Sequence, residues 1–263
     1  MEFRTIEFKV DSGFATLTLN RPAKLNSFNV EMHEEVRTAM KEVQEDAAIR
    51  CLLLTANGRG FCAGQDLSDR AVSADGGAPN LGESVEKYYN PLIESIMGLP
   101  KPVVCAVNGV AAGAGASIAL ACDIVLAARS ASFIQVFCKI GLVPDSGGTW
   151  NLPRAVGMAR AKGLALLGDK LPAEQAEDWG LIWRCVDDED LQFEARKLAA
   201  HFATQPTRGL GTIKKLLRVS SSNTLSEQLE LEKNAMLELG QSYDYKEGVA
   251  AFMEKRTPEF KGE

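Results

Sequence analysis

The sequence contains only two histidines, His33 and His201, among its 263 residues. This scarcity excludes metal centres built from several imidazoles and leaves few candidates for the base of a nucleophilic triad. The six cysteines are spread along the chain, and none forms a Cys-x-x-Cys pair or a cluster with histidine. Because most of them lie in apolar runs, we expect reduced, buried thiols, with no metal site and no disulfide framework.

An excess of positive charge and long apolar runs are also missing. Lysine and arginine number 29 against 35 aspartates and glutamates, for a formal net charge of −6, which argues against a nucleic-acid-binding surface. No apolar run reaches the length of a membrane span, and the first residues do not resemble a signal peptide. We therefore expect a cytoplasmic protein without membrane association.

What the sequence does contain is an alternation of apolar strands and amphipathic helices, typical of an α/β fold with parallel strands. Two apolar segments that flank an Asp-Ser-Gly turn signal, Phe3 to Val10 and Phe14 to Asn20, predict a hairpin. Further strands are predicted at 51–55, 103–107, 124–127 and 181–186. Helices are predicted at 29–46, 84–98, 114–121, 155–166, 173–178, 190–204, 207–218 and 224–239.

Two glycine-rich stretches are candidates for binding a substrate through the backbone. In Ala111 to Ala116, small side chains let a ligand approach the start of a helix, whose N–H groups suit a developing negative charge. The alternative is a tight contact between a helix and a sheet. A dinucleotide site is disfavoured because Ile118 stands at the third glycine position of G-x-G-x-x-G. The second stretch, Gly58 to Leu67, is either a similar N–H-presenting loop or a plain one.

Asp145, within Leu142 to Thr149, is the candidate acid or base. It either caps the following helix or acts as a catalytic carboxylate, and both interpretations stay open. The Asp-Ser-Gly-Gly run also resembles the nucleophile motif of chymotrypsin-like proteases, with Ser146 as nucleophile. That interpretation needs a histidine base, and both histidines lie in predicted helices where packing or surface roles are more typical.

Taken together, these motifs resemble the enoyl-CoA hydratase/isomerase (crotonase) family over nearly the whole chain. The stretches that carry the resemblance are Leu19–Pro22, Gly60–Leu67, Lys101–Gly109, Gly113–Ala116, Cys122–Ile124 and Leu142–Thr149. The resemblance implies a spiral of β-β-α units over residues 1–200, holding the active site and coenzyme A (CoA). It also implies a C-terminal helical region over 201–263 that forms a homotrimer or a dimer of trimers.

By the same resemblance, the backbone N–H groups of Gln65 and Ala114 form an oxyanion hole for the thioester carbonyl of an acyl-CoA substrate. The residues implied to line CoA are Lys24, Leu25, Ala63, Asp66 and Leu67. Phe252 and Lys255 match a segment that meets CoA bound to a neighbouring subunit. CoA is part of the substrate in this family, so no separate cofactor is expected.

The chain departs from the family's hydratases at the two positions where they carry catalytic glutamates, here Ser117 and Phe137. Asp145 instead falls where some isomerases of the family carry an aspartate. The resemblance therefore implies isomerisation by one carboxylate, with ring-epoxidised phenylacetyl-CoA as the expected substrate and an enoyl-CoA double-bond shift as a related reaction. The alternatives are an enoyl-CoA hydratase and a non-catalytic acyl-CoA-binding partner in a mixed crotonase complex. The family's dehalogenase chemistry ranks lower because neither histidine matches the one it requires.

Overall fold

Two β-sheets form the centre of the molecule in the computed structural model, which describes residues 3–66 and 80–263. The strands are β1 (Ile6–Asp11), β2 (Phe14–Leu19), β3 (Cys51–Ala56), β4 (Gly60–Cys62), β5 (Val103–Val107), β6 (Val110–Ala112), β7 (Ile124–Ala128), β8 (Ser132–Ile134), β9 (Lys170–Pro172) and β10 (Arg184–Val186). The larger sheet has the order β1-β2-β3-β5-β7-β10, and the smaller has the order β4-β6-β8-β9.

The helices follow the strands along the chain. They are α1 (Val30–Glu45), α2 (Leu81–Ser84), α3 (Asn90–Gly98), α4 (Ala114–Leu120), α5 (Gly148–Leu167), α6 (Ala173–Asp178), α7 (Leu191–Ala203), α8 (Thr207–Ser220), α9 (Leu225–Leu239) and α10 (Tyr243–Glu254). A π-helical turn, Val85–Tyr89, joins α2 to α3, and 3-10 turns cover Pro22–Lys24 and Val136–Ile140.

The connections between the two sheets form a repeated β-β-α unit. Strands β3, β5 and β7 are parallel neighbours in the large sheet, and each is followed by a short strand, β4, β6 or β8, in the small sheet. A helix then returns the chain to the next unit: α3, α4 or α5. Each unit therefore adds one strand to each sheet, so the chain climbs as a spiral and the predicted fold is confirmed.

Local signals in the first 50 residues explain how the spiral begins. Ser12 and Gly13 adopt φ of 52° and 81° between antiparallel β1 and β2, as a two-residue hairpin turn requires. Asn29 caps α1 by accepting a hydrogen bond from the Met32 N–H at 3.0 Å, which stabilises the helix start by about 1 kcal/mol. The predicted hairpin and first helix are both confirmed.

The core lies between the large sheet and the helices that pack on it. Strands β2, β3 and β5 are buried along their whole length, as expected for a parallel sheet covered on both faces. All six cysteines are free thiols, four of them buried and two half-buried. Burial is the main cause that raises the pKa of the Cys62 thiol to about 12, so this group stays protonated at neutral pH.

Two polar anchors attach the C-terminal helices to the spiral. Lys214 on α8 bonds to Asp123 Oδ2 at 2.7 Å, and Arg50 donates to Thr207 Oγ1 and to the Phe260 carbonyl, each at 2.9 Å. The predicted boundary between residues 200 and 201 falls inside α7, which packs on the core through buried residues such as Ala195. The division into two regions with separate roles stays a prediction.

In the part of the chain that the structure describes, no helix combines the length and apolar character needed to cross a bilayer. Within the same two ranges, no cluster of histidine, cysteine, aspartate and glutamate side chains could hold a metal ion.

Candidate active site

The chain segments at the ends of the neighbouring strands β4 and β6 approach each other closely. Gly64 has φ of 89°, and a methyl group placed on it would lie 3.1 Å from the Ala112 oxygen and 3.3 Å from the Ala114 nitrogen. A Cβ on Gly115 would lie 2.3 Å from the Cys62 oxygen, far inside van der Waals contact. Both glycines are therefore required for the two segments to approach each other.

Gln65 is held in an extended conformation by a short bridge to Phe28. The Phe28 N–H donates to the Gly64 oxygen at 2.7 Å, and the Asp66 N–H donates to the Phe28 oxygen at 2.8 Å. Successive N–H groups of an extended chain point in opposite directions, so the Gln65 N–H points away from Phe28. This N–H is the first predicted oxyanion-hole donor.

Ala114 is the first residue of α4, immediately after β6. Gly113 precedes it with φ of 55° and donates its own N–H to the Ile134 oxygen at 2.9 Å, which fixes the helix start against β8. The first N–H groups of a helix have no partner within that helix, and no described side chain caps this one. The structure thus brings the predicted pair, Gln65 and Ala114, to neighbouring loop ends.

Asp145 lies in a strained turn before α5 and is half-buried. Ser146 and Gly147 follow it with φ of 52° and 74°, and Ser146 donates its hydroxyl to Asp145 Oδ1 at 2.9 Å. Gly147 occupies the N-cap position of α5, so the interpretation of Asp145 as the cap of this helix is wrong. The strain is concentrated beside the carboxylate, as is typical of functional turns.

Ser117 and Phe137, which are expected to occupy the positions of the hydratase glutamates, lie around this turn. A methyl group on Gly148 would lie 2.9 Å from Ser117 Oγ, and one on Gly113 would lie 3.7 Å from the Phe137 ring. Ser117 is fully buried on α4, one turn after Ala114. The Asp145 turn, α4 and the Phe137 ring therefore form one contiguous site, in which Ser117 and Phe137 bring no carboxylate.

Comparison of the sequence with protein-family models shows to which family this chain belongs. The enoyl-CoA hydratase/isomerase family model matches residues 9–263. This chain belongs to the enoyl-CoA hydratase/isomerase family.

Its relatives in this family include both isomerases and hydratases. The 1,2-epoxyphenylacetyl-CoA isomerase of Escherichia coli K12 is 60% identical over 262 residues, covering 100% of this chain and 99% of the relative. A Rhodobacter capsulatus protein named "Probable enoyl-CoA hydratase" is 48% identical over 262 residues, covering 100% of both. Among solved structures, the enoyl-CoA hydratase/isomerase from Cupriavidus metallidurans CH34 superposes with a TM-score of 0.92 at 32% identity, covering 100% of this chain and 98% of the other.

Four of the residues expected to line CoA in this family member lie close together. The Ala63 N–H donates to the Leu25 oxygen at 2.9 Å, and Lys24 is exposed at the end of the preceding 3-10 turn. Asp66 is buried and forms a salt bridge with Arg21 at 2.9 Å, so its carboxylate has a structural partner. The predicted contacts of all four with CoA stay predictions, and Leu67 lies outside the described residues.

Phe252 and Lys255 lie at the end of α10, in the C-terminal region. Phe252 is 82% exposed, and Lys255 ends the helix with φ of 56°. An apolar ring so exposed is consistent with the expectation that this segment meets a neighbouring subunit, which stays a prediction.

The serine hydrolase alternative has no geometric support. The Ser146 hydroxyl donates to Asp145 rather than to an imidazole. His33 packs against the rings of Phe28 and Tyr89, at 4.7 and 4.6 Å between centroids, and His201 lies beside Phe202 on α7.

Sequence reasoning missed two side chains that fix the Gln65 segment. Tyr89 donates its hydroxyl to Gln65 Oε1 at 2.9 Å, and Arg21 holds Asp66, the next residue along. No periodic pattern indicates these contacts, because each joins residues 24 or more positions apart.

Proposed function

We propose that this protein isomerises 1,2-epoxyphenylacetyl-CoA to an oxepin-CoA, using Gln65 and Ala114 as the oxyanion hole and Asp145 as the proton carrier. The observation that carries the proposal is a half-buried Asp145 beside Ser117 and Phe137, neither of which brings a carboxylate where the resemblance places the hydratase glutamates. One carboxylate suits a reaction that moves one proton. The identity of 60% to an isomerase of this name over the full chain supports the choice of substrate.

In the first step, the Asp145 carboxylate removes a proton from the carbon next to the thioester carbonyl. The electron pair of that C–H bond moves toward the carbonyl, whose oxygen becomes negative. The N–H groups of Gln65 and Ala114 stabilise this oxygen, and losing one such donor typically costs about 3 to 4 kcal/mol. Because both donors belong to the backbone of packed segments, they need no reorganisation when the charge develops.

The carbon–carbon bond shared by the epoxide and the six-membered ring breaks as the ring double bonds shift, and the epoxide oxygen keeps both C–O bonds and becomes a member of a seven-membered ring. In the second step, the protonated Asp145 returns its proton to a carbon of that ring. The negative oxygen becomes a carbonyl again, the double bonds are rearranged, and no atom is gained or lost. Hydration would require a group to activate water and a second to protonate carbon. Ser117 and Phe137 can supply neither a carboxylate base nor a carboxylic acid.

The proposed substrate carries its own CoA, and we propose no further cofactor. The CoA phosphates would lie near Lys24, with Leu25, Ala63 and Asp66 along the same segment and Leu67 following it. Lys255 and Phe252 of a neighbouring subunit would complete the site.

The proposed assembly is a homotrimer or a dimer of trimers formed through the C-terminal helices. This region exposes large apolar side chains on three successive helices: Leu217, Leu225, Leu229, Met236, Leu237, Phe252 and Met253. An exposed apolar surface of this kind is typical of a subunit interface. Sedimentation equilibrium tests the assembly, and a monomer at micromolar concentration would contradict it.

The experiment that tests the function is a comparison of three substrates with the purified protein: 1,2-epoxyphenylacetyl-CoA, a 3-enoyl-CoA and a 2-enoyl-CoA. We expect turnover of the epoxide to a product of the same mass. Faster hydration of the 2-enoyl-CoA would instead identify a hydratase. Binding of all three thioesters without turnover would identify a non-catalytic partner in a mixed complex.

A further inference from the structure

The Tyr89 hydroxyl is an unusual group to find in this core. Tyr89 is 0% exposed, and its hydroxyl donates to Gln65 Oε1 at 2.9 Å. Its ring lies edge-on to His33, with 4.6 Å between centroids. A buried tyrosine hydroxyl needs a partner, and here the partner is the side chain of a proposed oxyanion-hole residue.

The local backbone is irregular where it presents this side chain. Tyr89 ends a π-helical turn in which the Asn90 N–H donates to the Val85 oxygen, five residues back. Pro91 follows and has no N–H to give to the Lys87 oxygen, which instead accepts from Arg37 at 3.0 Å. π-Helical turns are rare in proteins, and many of them lie at functional sites. This one is supported by a separate contact from the Arg37 guanidinium.

The Gln65 segment is therefore held at three points. The Phe28 backbone forms hydrogen bonds with the residues on both sides of Gln65. Arg21 forms a salt bridge with the side chain of the next residue, Asp66, and Tyr89 donates a hydrogen bond to the Gln65 side chain itself. The first two contacts fix the segment's position. The third acts on the Gln65 side chain, which also donates from Nε2 to the Asp66 oxygen at 3.4 Å, and it restrains rotation of the residue about its own Cα.

We propose that Tyr89 is a positioning residue for the reaction: through Gln65 Oε1 it fixes the direction in which the Gln65 N–H points at the substrate oxygen. This inference rests on the proposed oxyanion hole. Without the tyrosine hydroxyl, the Gln65 side chain loses its shorter hydrogen bond and keeps the longer one to the Asp66 oxygen, so the orientation of the adjacent peptide is less well fixed. The effect falls on the transition state, where the oxygen carries its largest charge, rather than on binding of the ground state.

The test compares Tyr89→Phe, Gln65→Met and the double variant with the wild-type protein. We expect each single change to lower kcat about tenfold while KM changes less than twofold, because small misplacements of catalytic groups are costly. The double variant should be no slower than either single one, since both remove the same bond. Tyr88→Phe is the matched control: this neighbouring tyrosine stacks on His33 at 5.1 Å, and its variant should keep the wild-type kcat.

A second measurement separates positioning from a purely structural role. The carbonyl stretching frequency of ¹³C-labelled phenylacetyl-CoA should shift on binding to the wild-type protein, and the shift should shrink in Tyr89→Phe. Wild-type kcat and an unchanged shift in Tyr89→Phe, even with a lower melting temperature, would overturn the proposal. Additive losses in the double variant would do the same.

The carbonyl measurement also distinguishes failure of this inference from failure of the proposed function. If the wild-type protein shifts the carbonyl frequency but does not turn over the epoxide, the proposed substrate is wrong, and the comparison of shifts still decides the role of Tyr89. If the wild-type protein produces no shift, the oxyanion hole and the role of Tyr89 are both refuted.

Discussion

Replacing Asp145 by asparagine should remove most of the isomerase activity while leaving the fold intact. The asparagine side chain keeps the shape of the turn and can still accept the Ser146 hydroxyl, now at 2.9 Å from Asp145 Oδ1. It cannot accept a proton from carbon. General-base catalysis typically contributes about 10² to 10⁴ in rate, or about 3 to 5 kcal/mol at 1.36 kcal/mol for each factor of ten. The free energy of unfolding should change by less than about 1 kcal/mol.

The assay follows conversion of 1,2-epoxyphenylacetyl-CoA by absorbance and, separately, exchange of the protons next to the carbonyl in D₂O by mass spectrometry. Both rates should fall together in Asp145→Asn, because one carboxylate serves both steps. Ser146→Ala is the control, since it removes the hydroxyl that contacts the carboxylate and should reduce the rate less than tenfold. Turnover of Asp145→Asn near the wild-type rate would refute the mechanism. Loss of activity in Ser146→Ala alone would favour a serine nucleophile.

Three further predictions concern the supports of the site and of the C-terminal region. Gly64→Ala should lower the free energy of unfolding by about 1 to 2 kcal/mol through strain at positive φ, and it should lower kcat at least tenfold by displacing the Ala112–Ala114 segment. The control is Gly163→Ala, in open space inside α5, which should raise the free energy of unfolding by up to about 1 kcal/mol and leave kcat unchanged. Equal activities of the two variants would contradict the close approach. Arg21→Met should lower the free energy of unfolding by about 3 kcal/mol in urea titrations, because buried Asp66 loses its guanidinium partner, and adding Asp66→Asn should restore part of it. Hydrogen bonds from Arg256 and from the Glu259 N–H lower the pKa of Glu247 to about 2. A carboxyl whose pKa is lowered on folding stabilises the fold above its ordinary pKa of 4.5, and this stabilisation is lost as the pH falls toward 2. The melting temperature of the wild-type protein should therefore exceed that of Glu247→Gln by less and less below pH 4.5, and a difference that stays constant with pH would contradict this prediction.

The long elements could be predicted because their signals are local. Strand β5 has the predicted bounds, 103–107, because Lys-Pro and Asn-Gly delimit a β-branched run, and α6 was likewise predicted at 173–178. Strands β4, β6, β8 and β9 were missed because three residues carry no measurable periodicity. Helix α5 begins at Gly148, seven residues before the predicted start, since Pro153 resembles a break and Gly157 interrupts the helix with φ of 75°.

Helix α10 was missed for a different reason. Its first six residues, Tyr243–Gly248, include three charged side chains and a glycine, so the apolar residues at helical spacing, Val249, Phe252 and Met253, are confined to its second half. For the site, the glycine runs and Asp145 were recognisable from the sequence because backbone freedom and a carboxylate are properties of single residues. The bond from Tyr89 to Gln65 depends on how the spiral brings separate turns together, which no local pattern records.

The close approach of Gly115 to the Cys62 oxygen has a consequence for how such proteins diverge. The distance between the two amides proposed to bind the thioester oxygen is determined by contact between main chains, and exchange of nearby side chains leaves that distance unchanged. In the proposed mechanism, substitutions at positions such as 117, 137 and 145 therefore change the fate of the enolate while its stabilisation by the two amides is kept. Hydratases and isomerases can in this way descend from one scaffold by changing proton donors and acceptors alone.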